Sequence, residues 1–324
     1  MDKLDIIKKP VEKELNDFEK HFRNSVNSPV PLLDIINNYI IRHKGKQIRP
    51  LFVFLTAKLL GDVNKATFTA ATLIELLHTS TLLHDDVVDE SYERRNHFSI
   101  NAIWKTKIAV LVGDYFLSRG LLVSIADKQY ELLETVSVAV EEMIAGELLQ
   151  IQSASKSTKN IENYFSIIEK KTASLIAACT KCGAQSVTTN TETHEALRKF
   201  GLYAGIAFQI KDDLLDYQKT GLSGKPAGND IKEKKFTLPL ILALQNSSTS
   251  ESKKIIKLVK TNENSSKKIN EVVEYVINKN GIKQSEEYLN LYKSKALDIL
   301  NQFTENEAKK SLVSLIDYVI SRNK

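Results

Sequence analysis

Proline and glycine are both scarce in this chain of 324 residues, which has 6 of the first and 12 of the second. No proline occurs between Pro50 and Pro226, so more than half of the sequence lacks the strongest helix breaker. That absence argues for an all-α protein. Cysteine is almost missing too. Cys179 and Cys182 form a C-x-x-C within an apolar helical stretch, 173–184, with neither partner ligands nor a strand–turn–helix setting. They read as small packing residues in a reducing cytoplasm rather than as a redox or zinc pair. No run of about 18 apolar residues appears, so no transmembrane segment is expected. The opening MDKLDIIKKPVEKEL mixes acids and bases and lacks the apolar core of a signal sequence. Arginine–aromatic interleaving is also lacking. The Lys-rich final third (Lys253, Lys254, Lys257, Lys260, Lys267, Lys268) therefore reads as a solvated helix face, and no nucleic-acid partner is expected.

What is present is the composition of a globular chain: 42% hydrophobic, 26% charged, net charge +5. No linker, repeat or low-complexity block divides it, so residues 1–324 are expected to form one domain. Helical periodicity runs through 2–24, 33–42, 51–60, 65–89, 113–126, 131–153, 161–184, 192–217 and 238–245. The helix over 67–89 is apolar on nearly all sides (Ala70, Leu73, Ile74, Leu76, Leu77, Leu82, Leu83), as befits the middle of a bundle.

That helix ends in LLHDDVVDESYERRN, with Asp85, Asp86 and Asp89 at i, i+1 and i+4. Three carboxylates this close repel one another unless a cation sits among them, and a hard divalent ion such as Mg2+ suits oxygen ligands best. One such cluster is more often plain solvated surface. A second, Asp212, Asp213 and Asp216 in FQIKDDLLDYQK, repeats the spacing after another apolar helical run. Two matching triplets among 40 acidic residues are hard to assign to chance. Arg94 and Arg95, just beyond the first triplet, suit phosphate oxygens. Two interior helices ending in acids suggest a cavity with a charged mouth and a hydrocarbon floor, shaped for a diphosphate with an apolar tail.

Other polar residues stand at odd places. In Lys44-Gly-Lys-Gln-Ile-Arg-Pro50, a glycine among cations precedes a helix, where backbone amides, Lys46 and Arg49 can form a second phosphate site. His78 lies two helical turns before Asp85. A core histidine and a functional one are about equally good readings. Glu147, Gln150, Lys171, Thr172 and Gln209 interrupt apolar helices and need partners or a wet pocket. The stretch 224–239, GKPAGNDIKEKKFTLP, offers Lys225, Asp230 and Lys235 on a loop.

Eight blocks in order resemble the trans-isoprenyl diphosphate synthases of the polyprenyl synthetase family: GKQIRP (45–50), LLHTSTLLHDDVVDE (76–90), ERR (93–95), GDYFLSR (113–119), GELLQ (146–150), EKKTASL (169–175), GIAFQIKDDLLDY (205–217) and GKPAGNDIKEKKFTLPL (224–240). The resemblance implies an all-α helical bundle of the isoprenoid synthase type, a cytoplasmic homodimer, three Mg2+ per active site, and loose membrane association for product release. It implies that an allylic diphosphate ionises and that isopentenyl diphosphate attacks the cation. Loss of a proton then leaves a trans double bond. By position, Asp85, Asp86, Asp89, Asp212, Asp213 and Asp216 would hold or organise the metals. Arg94, Lys171, Lys225 and Lys235 would neutralise the allylic diphosphate. Lys46, Arg49, His78 and Arg95 would hold isopentenyl diphosphate. Thr172 and Gln209, with Lys171, would act at the reacting carbon. Four positions depart from the family pattern: Lys44, Asn96 and Lys234 stand where glycine is usual, and Gln47 stands where arginine is common.

Chain length is read from the residues before the first triplet. Ser80 and Thr81 stand where short-chain members carry a bulky aromatic, which leaves the passage open. A long product of roughly six to eight isoprene units, of the kind used for quinone side chains, is expected. Leu76 and Leu77, with Val136, Val140 and Met143, are candidate floor residues. A shorter-chain geranylgeranyl or farnesyl diphosphate synthase, or a subunit of a heteromeric synthase, is the alternative. A class I terpene cyclase would carry an Asn/Ser/Glu motif second. A head-to-head synthase would carry D-x-x-x-D pairs.

Overall fold

The computed structural model describes residues 3–94, 97–156, 159–217, 228–261 and 265–321. Helices follow one another almost without interruption: α1 (Lys3–Lys8), α2 (Glu12–Ser25), α3 (Pro31–Arg42), α4 (Ile48–Leu60), α5 (Lys65–Val88), α6 (Ile100–Ala126), α7 (Tyr130–Lys156), α8 (Ile161–Ile168), α9 (Ser174–Gln185), α10 (Thr191–Asp216), α11 (Asn229–Lys232), α12 (Leu238–Gln245), α13 (Thr249–Lys260), α14 (Ser266–Asn278), α15 (Gly281–Leu300) and α16 (Glu307–Ser321). A short 3-10 turn, Lys9–Val11, joins α1 to α2, and a π turn, Glu169–Ala173, joins α8 to α9. Among the described residues the strands are a two-residue pair, β1 (Glu93–Arg94) and β2 (His97–Phe98), antiparallel with Arg94 opposite His97. The all-α expectation holds.

The chain divides into two compact units. The first comprises Met1–Val140, Ala178–Arg198 and Phe303–Leu312; the second comprises Glu141–Ala177, Lys199–Gln302 and Val313–Lys324. In the first unit, α4 is buried over most of its length and α5 through its apolar middle, residues 70–77, as the apolar residues on several faces of each require. Asn64 starts α5 with a capping box shared with Thr67. Both cysteines lie here as buried free thiols, and burial pushes the Cys179 thiol up to about 12 and Cys182 higher still. Neither is a nucleophile, in line with a packing role.

Helix α6 corrects the sequence reading. It begins at Ile100, with Ser99 capping Ala102, rather than at residue 113. Lys105, at φ 68 inside it, breaks the periodicity that would have revealed the first turns. The stretch Ile100–Ala126 is also long and apolar enough to cross a membrane by length and composition, and a third of it is buried. A search for an unbroken apolar run misses it because Asp114 and Arg119 interrupt the sequence.

The second unit is built around Tyr164, Ile168, Ala173, Ile206, Ile210, Leu214 and Leu289. Its π turn is held by two close approaches. A Cβ on Gly146 of α7 would stand 2.6 Å from the Lys171 backbone nitrogen, and one on Gly205 of α10 would stand 2.6 Å from Ala173 Cα. Only glycine lets both helices come that near. The extra residue of a π turn swings the side chains of its segment out of α-helical register, and this turn carries Lys171 and Thr172.

Candidate active site

Each acidic triplet occupies the last turn of a long helix. Asp85 and Asp86 close α5 and Asp89 is its C-cap; Asp212, Asp213 and Asp216 close α10. The carbonyl end of a helix carries partial negative charge, so acids are least welcome there. An arrangement made twice against the dipole calls for compensation by cations or hydrogen-bond donors. The protein supplies part of that compensation itself. In both triplets the second acid is buried: Asp86 and Asp213 are each 3% exposed. Asp86 pairs with Arg94, at 2.8 Å from Nε and 2.6 Å from Nη2. Asp213 accepts from Tyr164 Oη at 2.7 Å and from Gln209 Nε2 at 3.0 Å. Asp85 and Asp89 are exposed, and Asp212 is half-buried. Asp216 turns both oxygens onto the loop, accepting the backbone N–H groups of Asn229 at 2.9 Å and Asp230 at 3.0 Å, and so starts α11.

Among the described residues no three Asp, Glu, His or Cys side chains converge into a closed metal cage. Oxygen donors at the carbonyl ends of α5 and α10 could hold a hard divalent cation; Asp85 and Asp89 are exposed and Asp212 is half-buried, whereas Asp86 is taken up by Arg94 and Asp213 by Tyr164 and Gln209.

In the first unit a cavity of about 120 Å3 is lined by His78, Asp86 and Arg94, joined by Tyr39, His43 and His97 from neighbouring elements. The His43 ring centroid lies 4.0 Å from that of His97 and 4.2 Å from that of Tyr39, with ring planes tilted by 50° and 48°. The histidine pair and Tyr39 were not picked out from sequence, where nothing links α3 to the hairpin. Arg49 lies in the first turn of α4, and its buried Nε has no partner. Lys46 is exposed just ahead of it. The N-cap of α4, Gln47, is left-handed at φ 55 and makes no side-chain cap; in the first turn Ile48 and Arg49 carry amide hydrogens and Pro50 does not. Ser80 and Leu77 are packed in the core at 3% exposure, and Thr81 donates its hydroxyl to His78 O at 2.8 Å. Val136 is buried and Val140 half-buried on α7.

In the second unit a cleft of about 430 Å3 brings together five of the expected residues, Lys171, Thr172, Gln209, Asp213 and Lys235. Met143 is half-buried in the same unit. Lys171 forms an ion pair with Glu147 and donates to Gln150 Oε1 at 3.2 Å; Lys235 pairs with Glu233 at 2.5 Å. Burial raises Asp213 to about 6, against the pull of its Gln209 and Tyr164 hydrogen bonds. Burial, reinforced by the charges of Asp213 and Asp216, raises Asp230 to about 7. Burial acts to lower Lys235, yet its bond to Glu233 and the acids nearby hold it above its ordinary value. The cleft thus gathers acids whose burial raises them beside lysines paired to Glu147 and Glu233, a mixture of charges that could take up a metal ion or a phosphate. Lys234, where the family has glycine, sits at φ 57, the left-handed backbone that explains the usual residue. In this unit sequence reading missed Tyr164, one of 11 tyrosines with no motif to mark it. Arg95 and Lys225 lie outside the described residues.

Residues 30–276 match the family described as polyprenyl synthetase. The chain belongs to that family, and with it to the prenyltransferases. It is 32% identical over 312 residues to heptaprenyl diphosphate synthase component 2 of Bacillus subtilis, covering 95% of this chain and 88% of that one. It is also 32% identical to octaprenyl diphosphate synthase of Haemophilus influenzae, covering 99% and 97%. A solved polyprenyl synthase from Caulobacter crescentus, complexed with calcium and isoprenyl diphosphate, superposes with TM-score 0.89 at 31% identity over 99% and 98% of the chains. A solved geranylgeranyl pyrophosphate synthase from Bacteroides thetaiotaomicron superposes with TM-score 0.83 at 36% identity over 99% of each.

Proposed function

We propose that the chain is a Mg2+-dependent trans-polyprenyl diphosphate synthase. It lengthens an allylic diphosphate with isopentenyl diphosphate to a product of six to eight isoprene units, used for quinone side chains. The observation that carries the reading is the pair of acid triplets set against the dipoles of α5 and α10, each with its second acid buried on an internal partner.

In this reading Asp85 and Asp89 of the first unit are metal ligands steadied by Asp86, and Asp212 of the second unit is a metal ligand steadied by Asp213 and Asp216, with three Mg2+ expected per enzyme active site. Bound Mg2+ supplies positive charge to the departing diphosphate. Lys171 and Lys235 release their glutamates and take diphosphate oxygens; Arg94 and Lys225 add to them. The allylic C–O bond breaks and its electron pair leaves with the diphosphate. The isopentenyl double bond then forms the new C–C bond, and the proton lost passes to the departed diphosphate. Thr172 and Gln209 present oxygen dipoles to the cation in a site closed to water, which would otherwise quench it. Lys46, Arg49, His78 and Arg95 hold the isopentenyl diphosphate. The unpartnered Arg49 Nε and the uncapped start of α4 support that assignment.

The working form is a homodimer. Support comes from α6, whose Val110, Leu111, Leu117, Leu121, Leu122 and Ile125 are exposed apolar residues at helical spacing. Such a stripe on a monomer would expose several large aliphatics to water. We place the enzyme in the cytoplasm, with loose membrane contact as the product is released.

The test is incubation with Mg2+, farnesyl diphosphate and isopentenyl diphosphate, followed by product sizing and light scattering. Elongation to long products by a dimer is expected. Hydrocarbon release without isopentenyl diphosphate, or no elongation at all, overturns the activity. A product stopping at geranylgeranyl diphosphate overturns the length and favours the function named for the Bacteroides structure. Activity only on adding a second protein favours the arrangement that the word "component" suggests for the Bacillus relative.

A further inference from the structure

The cleft of the second unit contains a hydrogen-bond chain whose direction is fixed from one end. A carboxylate only accepts. Asp213 must therefore receive the Tyr164 hydroxyl hydrogen at 2.7 Å and an amide hydrogen from Gln209 Nε2 at 3.0 Å. With its nitrogen committed, Gln209 turns Oε1 to Thr172, whose hydroxyl donates to it at 2.9 Å. Thr172 has then spent its only hydrogen and has lone pairs alone left to offer the cleft that it and Gln209 both line. Tyr164 is buried at 6% exposure, and its ring is held edge-on by Phe165 at 5.3 Å. The start of the chain is thus anchored in the packed core.

We propose that Tyr164 is a positioning residue for the reaction. It anchors Asp213, which orients Gln209, which holds Thr172 with its oxygen toward the reacting carbon. This rests on the reading above, in which Thr172 and Gln209 face the allylic cation. Without the tyrosine hydroxyl, one oxygen of Asp213 keeps only a 3.5 Å approach from the Leu238 N–H. The carboxylate can then rotate and Gln209 loses its fixed orientation. The oxygen dipoles aimed at developing positive charge become averaged.

Tyr164→Phe removes the hydroxyl and keeps the ring. In the full-length enzyme it should lower kcat about tenfold while leaving KM for both diphosphates within about twofold, the pattern of an interaction realised in the transition state. In a Thr172→Val background the same substitution should cost less than about twofold, since its target is gone. In protein labelled with 15N at glutamine, the Gln209 side-chain amide signals should shift in Tyr164→Phe. Equal losses in the two backgrounds, or unmoved Gln209 signals, overturn the proposal. So does a fall in unfolding midpoint as large as that of Tyr164→Ala, which would mark a packing role. A wild-type chain that condenses nothing overturns the reading of the site, and with it the catalytic part of the proposal. The amide signals still decide the hydrogen-bond chain itself.

Discussion

The Arg94–Asp86 pair gives the sharpest energetic test of how the first acidic triplet is supported. Asp86 is 3% exposed and makes two contacts to one guanidinium, at 2.8 and 2.6 Å. Removing one member of a buried pair strands the other charge, at a cost of about 3–5 kcal/mol. Here the Arg94 side chain is 36% exposed, so water can reach the vacated side and the cost falls to about 2–3 kcal/mol. Arg94→Met keeps most of the aliphatic stem and isolates the charge. Asp86→Asn combined with Arg94→Met removes the stranded anion and should recover at least half of the loss. The single tryptophan, Trp104, is a convenient reporter. It lies in the first unit with its ring edge-on to Tyr39 at 5.3 Å. Urea unfolding followed by its fluorescence gives the three stabilities directly. A loss under about 0.5 kcal/mol for Arg94→Met refutes the argument, as does a double variant no more stable than the single one. In either case Asp86 would be held by something other than the arginine.

Three further outcomes are expected. Ser80→Phe should shorten the product in a radiolabelled chain-length assay, with about 1–3 kcal/mol of overpacking because Ser80 is buried; an unchanged product length contradicts its place beside the growing chain. Gly146→Ala should displace the π turn, since the new Cβ meets the Lys171 backbone at 2.6 Å. Single-turnover kinetics should then fall by about tenfold or more, and wild-type rates would show the turn to be unimportant. Asp230 sits at 3.8 unfolded and about 7 folded, so the folded apo chain binds the extra proton between those values. Its contribution is complete below about 3.8 and is lost as pH rises through about 7, so stability should fall with rising pH over that window. Asp230→Asn should flatten the slope in urea titrations, and an unchanged slope counts against the assignment.

Local pattern carried the fold a long way, and it stopped where side chains from separate helices meet. The scarcity of proline, the apolar girth of α5 and the twin Asp spacing were each contained within one stretch of chain, and each is found in place. The start of α6 was hidden because Lys105, Thr106 and Lys107 interrupt the apolar pattern where Lys105 leaves helical geometry. The long segment over 161–184 was read as one helix. Its π turn depends on Gly146 and Gly205, which lie on two other helices, so nothing within the segment announces it. The same limit explains the unequal standing of the six aspartates. Spacing makes Asp85 and Asp86 equivalent, and likewise Asp212 and Asp213. What separates them is Arg94, eight residues away, and Tyr164, 49 residues away. A metal site is legible as a set of donors, whereas the difference between a ligand and the residue that steadies it is set by tertiary partners. Exchanging the roles within a triplet by sequence edits alone should therefore fail unless the partner moves as well.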